Sequence, residues 1–143
     1  MTLTRPHLLQ LLCHLSTRNY NDRATRDAFS LAFAGFLRVG EFTYREADRH
    51  LGPTFSKWFL TQSCVRIQAR GTHMQLTLPS SKTDPFRTGV KLTIAASHDT
   101  ACPVRAMQQF LIRDTHQPQY SPLFCLGMVE HQAFTPEHVV HWL

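Results

Sequence analysis

The chain has 143 residues, 43% of them apolar and ten of them Phe, which suits one domain around a single core and excludes a wholly disordered chain. Its 15 Lys and Arg against 10 Asp and Glu leave a formal charge of +5 and a pI near 9.4, a balance that fits a polyanionic partner, nucleic acid being the commonest. No apolar run is long enough for a membrane span, and the N-terminus lacks the basic region, apolar stretch and cleavage site of a signal peptide, so a soluble intracellular protein is expected.

Residues 5–18 are predicted to form a first helix, because Leu8, Leu11, Leu12 and Leu15 make one apolar stripe. Asn21 and Asp22 offer an N-cap for a second helix over 22–37. Its later half, from Ala28 to Leu37, is apolar nearly all round and belongs in the middle of a core, with Phe29, Phe33 and Phe36 as core residues and not a base-stacking platform. Arg38-Val39-Gly40-Glu41 is a polar stop directly after it. Residues 43–61 are mixed, with a turn at Gly52-Pro53.

The period then changes. Val65, Ile67 and Ala69 alternate with Arg66, Gln68 and Arg70; Met74, Leu76 and Leu78 with His73, Gln75 and Thr77; Val90, Leu92 and Ile94 with Lys91 and Thr93. A turn at Gly71 and a polar loop from Ser80 to Gly89 separate these runs, which predicts a small three-stranded antiparallel sheet with one buried face. The helical period returns at Pro103, with Val104, Met107, Phe110 and Leu111 as its stripe. Leu123 to Leu126 is a short apolar segment after a loop bracketed by Pro118 and Pro122. Thr135-Pro136-Glu137 starts a last helix, whose Val139, Val140, Trp142 and Leu143 need partners; ending at Leu143, it suggests a truncated domain. Cys13, Cys64, Cys102 and Cys125 form no CxxC pair, which predicts free thiols in a reducing compartment, two or more of them in the core. The fold class expected is α+β, mainly helical with a small three-stranded antiparallel sheet.

Phe33-Ala34-Gly35-Phe36-Leu37-Arg38-Val39-Gly40-Glu41-Phe42 closely resembles the first arginine motif of the tyrosine recombinases. Leu78-Pro79-Ser80-Ser81-Lys82-Thr83-Asp84, followed by Gly89-Val90, resembles the segment that carries the family's lysine between its second and third strands. Cys102-Pro103-Val104-Arg105-Ala106-Met107, Pro122-Leu123-Phe124 and Phe134-Thr135 resemble further stretches, in the family's order, with the best fit to its eukaryotic, crypton-like branch. The similarity covers roughly residues 5–143, so the chain is expected to be one partial catalytic domain, 1–143.

The resemblance implies DNA integration and recombination by phosphodiester transesterification in the nucleus, with double-stranded DNA as partner, self-association of protomers on that DNA, and no metal or nucleotide cofactor. A tyrosine attacks the phosphodiester, and two arginines offer forked donors to the crowded phosphate oxygens. Arg38 would be the first of these, Glu41 would support it by holding it in place, and Lys82, on a hairpin reaching towards the bases, would protonate the leaving 5′ oxygen. The second arginine, in a His-x-x-Arg motif, and the nucleophilic tyrosine have no counterpart in the 143 residues; Tyr20, Tyr44 and Tyr120 stand at the wrong places, and the family's N-terminal DNA-clamping domain is also missing. The fragment is thus expected to be inactive alone.

Plainer readings stand beside these. Arg38 at a helix end also suits carbonyl capping and the helix dipole, and Lys82 in a polar loop suits a solvated lysine. Arg66, Arg70, Arg87 and Lys91 form a basic face near the sheet that either contacts phosphates or is simply solvated. His138 and His141 lie one helical turn apart but have no third metal ligand in view. A non-catalytic DNA-binding module, or an interaction remnant of a mobile element, is the alternative to a recombinase part.

Overall fold

The computed structural model describes residues 4–68, 70–79, 89–113 and 121–143. Lys82, Arg87, Ala69 and Tyr120 lie outside these residues, as does the polar loop from Ser80 up to Thr88. The chain is α+β, with helices packed on one face of a three-stranded sheet.

Helix α1 (Arg5–His14) is shorter than its apolar stripe suggested. Thr4 accepts from the His7 N–H at its start, and Leu15 is already extended, although its side chain remains buried in the core. Helix α2 (Tyr20–Gly35) begins two residues before the expected position. Its cap is Asn19, whose side-chain oxygen accepts from the N–H groups of Asn21 and Asp22. The expected cap residues are used elsewhere: Asp22 accepts from the Ser16 N–H at 3.0 Å, and Asn21 from the Gly127 N–H at 2.7 Å.

Ala24, Ala28, Phe29, Leu31 and Ala32 of α2 are buried, which makes α2 the central helix, as its all-round apolar pattern predicts. Phe29 is in the core and Phe33 packs partly against it, but Phe36 is 92% exposed, a correction to the expectation for that residue. The physical reason is local. Phe36 ends α2 in the left-handed conformation (φ 53°), which swings its ring away from the stripe below it. The Leu37 N–H returns to the Ala32 carbonyl at 2.9 Å and closes the helix. A residue with a Cβ in this conformation costs roughly 1–2 kcal/mol.

A single turn, α3 (Val39–Phe42), follows. Its Phe42 is buried, with its ring 6.4 Å from that of Phe134. A 3-10 stretch (Glu46–Thr54), kinked at Gly52, leads into α4 (Phe55–Trp58), and the expected turn at Gly52-Pro53 falls at this kink. Tyr44 bridges to the C-terminal part: its N–H donates to the Phe134 carbonyl at 3.1 Å and its hydroxyl to the Phe124 carbonyl at 2.6 Å.

Strands β1 (Val65–Ile67), β2 (His73–Leu78) and β3 (Val90–Ala95) pair antiparallel in the order β1-β2-β3. The register sets Ile67 opposite Met74, Met74 opposite Ile94, and Leu76 opposite both Val65 and Leu92. These residues form the inward face, the period-2 pattern translated into a sheet with one side in the core. Helix α5 (Pro103–Arg113) starts at the expected proline and buries Val104, Met107 and Phe110 against α2 and β3. The short apolar segment becomes one arm of a hairpin, β4 (Cys125–Leu126) with β5 (Gln132–Ala133), too brief for any periodicity to announce. Gly127 turns this hairpin at φ 82°, where an added Cβ would collide with the Glu130 carbonyl. Helix α6 (Pro136–Trp142) is capped by Thr135, which accepts from the His138 N–H. It buries Val139 and part of Trp142, while Val140 and Leu143 are exposed. Among the described residues no helix is long and apolar enough to cross a membrane.

Candidate nucleic-acid interface

Arg38 sits at the N-terminus of α3, immediately beyond the buried helix α2. Glu41 accepts from its backbone N–H at 2.8 Å, so the carboxylate fixes the Arg38 backbone and leaves the side chain to point outward. The expectation that Glu41 holds Arg38 thus takes a definite form: it positions the main chain and does not pair with the guanidinium. Thr43 donates to the Val39 carbonyl at 2.7 Å and, with buried Phe42, anchors the same turn. Arg38 itself is exposed.

Arg66 and Lys91 lie on the outer face of the sheet. Arg66 is opposite Gln75, Lys91 is opposite Thr77, and Gln75 and Thr77 are two apart on β2, so all four side chains share one face. Strand geometry places the Arg66 and Lys91 backbones about 12 Å apart. Thr93, opposite Gln75, and His73 complete this polar surface. Arg70 is exposed in the turn between β1 and β2. The end of α2 approaches this sheet from its inner side: a Cβ on Gly35 would touch Ile94 of β3 at 3.5 Å. Arg38 follows three residues after Gly35, on the chain leaving the inner side of the sheet, whereas Arg66 and Lys91 are on the outer face. Lys82 and Arg87 fall within the β2–β3 connection, outside the described residues.

The described basic residues fall into three groups, one of them Arg23 and Arg26, which donate to the Arg18 and Leu12 carbonyls. Arg5 pairs with Asp99, Arg45 with Glu137, Arg49 with Glu46, and Arg113 with Asp27. The partner acids register this. Glu46 is held below the usual carboxylate range by the Ala133 N–H and Arg49, Asp99 by Arg5 and Ser97, and Glu137 by Arg45. Arg18, Arg38, Lys57, Arg66, Arg70, Lys91 and Arg105 are exposed, and among the described residues none of them faces an acid. No family model matches this chain, and no curated protein matches it significantly.

Several other chemistry-bearing groups are used within the fold. His138 turns inward and its Nε2 meets the buried Thr25 hydroxyl at 2.7 Å. Burial lowers its pKa, neighbouring His141 adds to that, and Asp22 opposes it. His141 is exposed, and among the described residues no three His, Cys, Asp or Glu side chains are placed to hold a metal ion. Tyr44 is buried and hydrogen-bonded, and burial pushes its phenol well above the ordinary range. Cys102 and Cys125 are buried thiols, as the cysteine count suggested, and all four cysteines are free. The Cys125 sulfur lies 3.1 Å from His131 Nδ1 and 3.3 Å from the Tyr20 hydroxyl, a grouping that no sequence spacing signals.

Proposed function

We propose that this chain is the DNA-binding part of a tyrosine-recombinase-type catalytic domain, acting on double-stranded DNA in integration and recombination in the nucleus. The observation that carries the reading is placement: of the exposed cations that face no acid among the described residues, Arg66 and Lys91 share the outer face of the sheet, Arg70 sits in its first turn, and Arg38 follows the helix packed against it. Unpaired, exposed cations around one sheet and the helix end beside it suit a run of phosphates. The Arg38 and Lys82 motifs, and the sequence of buried helix, arginine, three-stranded sheet and helix, support the family assignment.

In this reading the Arg38 guanidinium donates two parallel N–H groups to the non-bridging oxygens of one phosphate, from a main chain fixed by Glu41. Lys82, in the connection between β2 and β3, serves the leaving 5′ oxygen. Arg66, Arg70, Arg87 and Lys91 hold the flanking backbone.

Strand cleavage is a different matter. These 143 residues contain no His-x-x-Arg, Tyr44 is buried on a carbonyl, and Tyr20 is committed to Cys125. The same facts favour the second reading, a DNA-binding module without chemistry of its own. Both readings require duplex binding that weakens steeply with salt, and a gel-shift titration tests it. No shifted complex at low salt removes both. A covalent protein–DNA adduct on a nicked duplex, surviving denaturation, would overturn the claim that the chain does not cleave alone.

A further inference from the structure

Nine of the ten phenylalanines lie in the described residues. Eight of these are buried or partly buried, and Phe36 alone is exposed, at 92%. It is also the only described residue other than glycine with a positive φ. Two local rules are therefore broken at one position: a large ring faces water, and a side chain occupies a backbone conformation that glycine adopts freely. The left-handed turn is offset in part by the hydrogen bond that closes α2, but among the described residues the ring has no aromatic or cationic partner. Such an inconsistency marks a place where the partner is outside the chain.

The surroundings say which partner. Leu37 is partly buried, and Phe36 and Arg38 flank it on the outside of the molecule. An exposed ring two residues from an exposed arginine that faces no acid among the described residues offers two groups that nucleic acid engages: the ring packs on a sugar face, and the forked donors take a phosphate. A second copy of this chain fits less well, because a two-fold contact at this corner would bring two Arg38 side chains together.

We propose that Phe36 is a DNA-contact residue, its ring seated against the sugar–base edge of the duplex whose phosphate Arg38 grips. This rests on the DNA-binding reading above. Phe36→Ala removes the ring. Phe36→Gly removes the ring and the left-handed strain together, so it separates loss of contact from loss of fold.

Fluorescence anisotropy with a labelled duplex, across a series of salt concentrations, gives the test. Both variants of the full chain are expected to bind about tenfold more weakly at every salt concentration. The log–log salt slope stays at the wild-type value, since an apolar contact releases no counterions. Phe36→Gly is also expected to raise Tm. If the wild-type chain binds and both variants bind equally tightly, the role of Phe36 is wrong while the DNA reading stands. If the wild-type chain does not bind at low salt, the DNA reading falls and takes this inference with it. If light scattering finds a dimer that Phe36→Ala dissolves, the ring contacts a second copy and the inference is overturned.

Discussion

The two ends of α2 are built to opposite plans. At the N-terminal end every polar side chain is used inside the fold. Asn19 caps the helix, Tyr20 reaches Cys125, Asn21 takes the Gly127 N–H, Asp22 takes the Ser16 N–H, and Thr25 joins the Asn21 carbonyl to His138. At the C-terminal end the helix stops on a strained, exposed phenylalanine, and the arginine beyond it faces no acid among the described residues. The contrast teaches that polar residues of similar type do different jobs on one helix. Those at the first end hold the hairpin and α6 in place. At the second, the Arg38 side chain holds nothing among the described residues.

Breaking the first end is expected to produce the largest loss of stability. Thr25 is fully buried, and Thr25→Val keeps its shape while leaving the His138 nitrogen without its partner. We expect a loss of about 1–3 kcal/mol, read as a Tm drop of several degrees, with duplex binding retained below the transition. An unchanged Tm would show that the stitched end carries no stability. Asn21→Ala removes the exposed link to Gly127 and should cost about 1 kcal/mol or less by denaturant titration. Arg38→Ala should leave unfolding within about 0.5 kcal/mol of wild type, because the guanidinium supports nothing among the described residues; a large destabilisation would assign Arg38 to structure.

A subtler difference is expected in pH dependence. Burial holds His138 below its ordinary pKa, so the folded state favours the neutral ring. As pH falls below about 6.5 the unfolded chain takes up this proton first, so the fold loses stability, and the loss levels off once the folded-state ring is itself protonated. Thermal melts on either side of this window should show a declining Tm in the wild type and a shallower decline in His138→Gln. Equal slopes would separate His138 from the effect.

Much of the fold can be read from the sequence where a period persists. The alternations at Val65, Met74 and Val90 give the sheet and its buried face, and Pro103 and Thr135 mark two helix starts. The failures occur where a residue's partner is distant or its backbone departs from the element's period. Asn21 and Asp22 have the chemistry of caps, but their partners, Gly127 and Ser16, are set by tertiary folding. Phe36 fits an apolar helix stripe until the left-handed turn reverses its direction. Arg38 and Glu41 stand out in the sequence as a motif, whereas the division of the arginines into paired and unpaired depends on contacts such as Arg5 with Asp99, 94 residues apart.

The central claim is that Arg38 grips a phosphate. Its most direct test is the salt dependence of duplex affinity for the wild-type chain and Arg38→Ala, measured in parallel. The account predicts a steep negative log–log slope for the wild type and a slope smaller by about one counterion for the variant, together with weaker binding. Equal slopes and equal affinities for the two proteins, or no binding by the wild type at low salt, would contradict it.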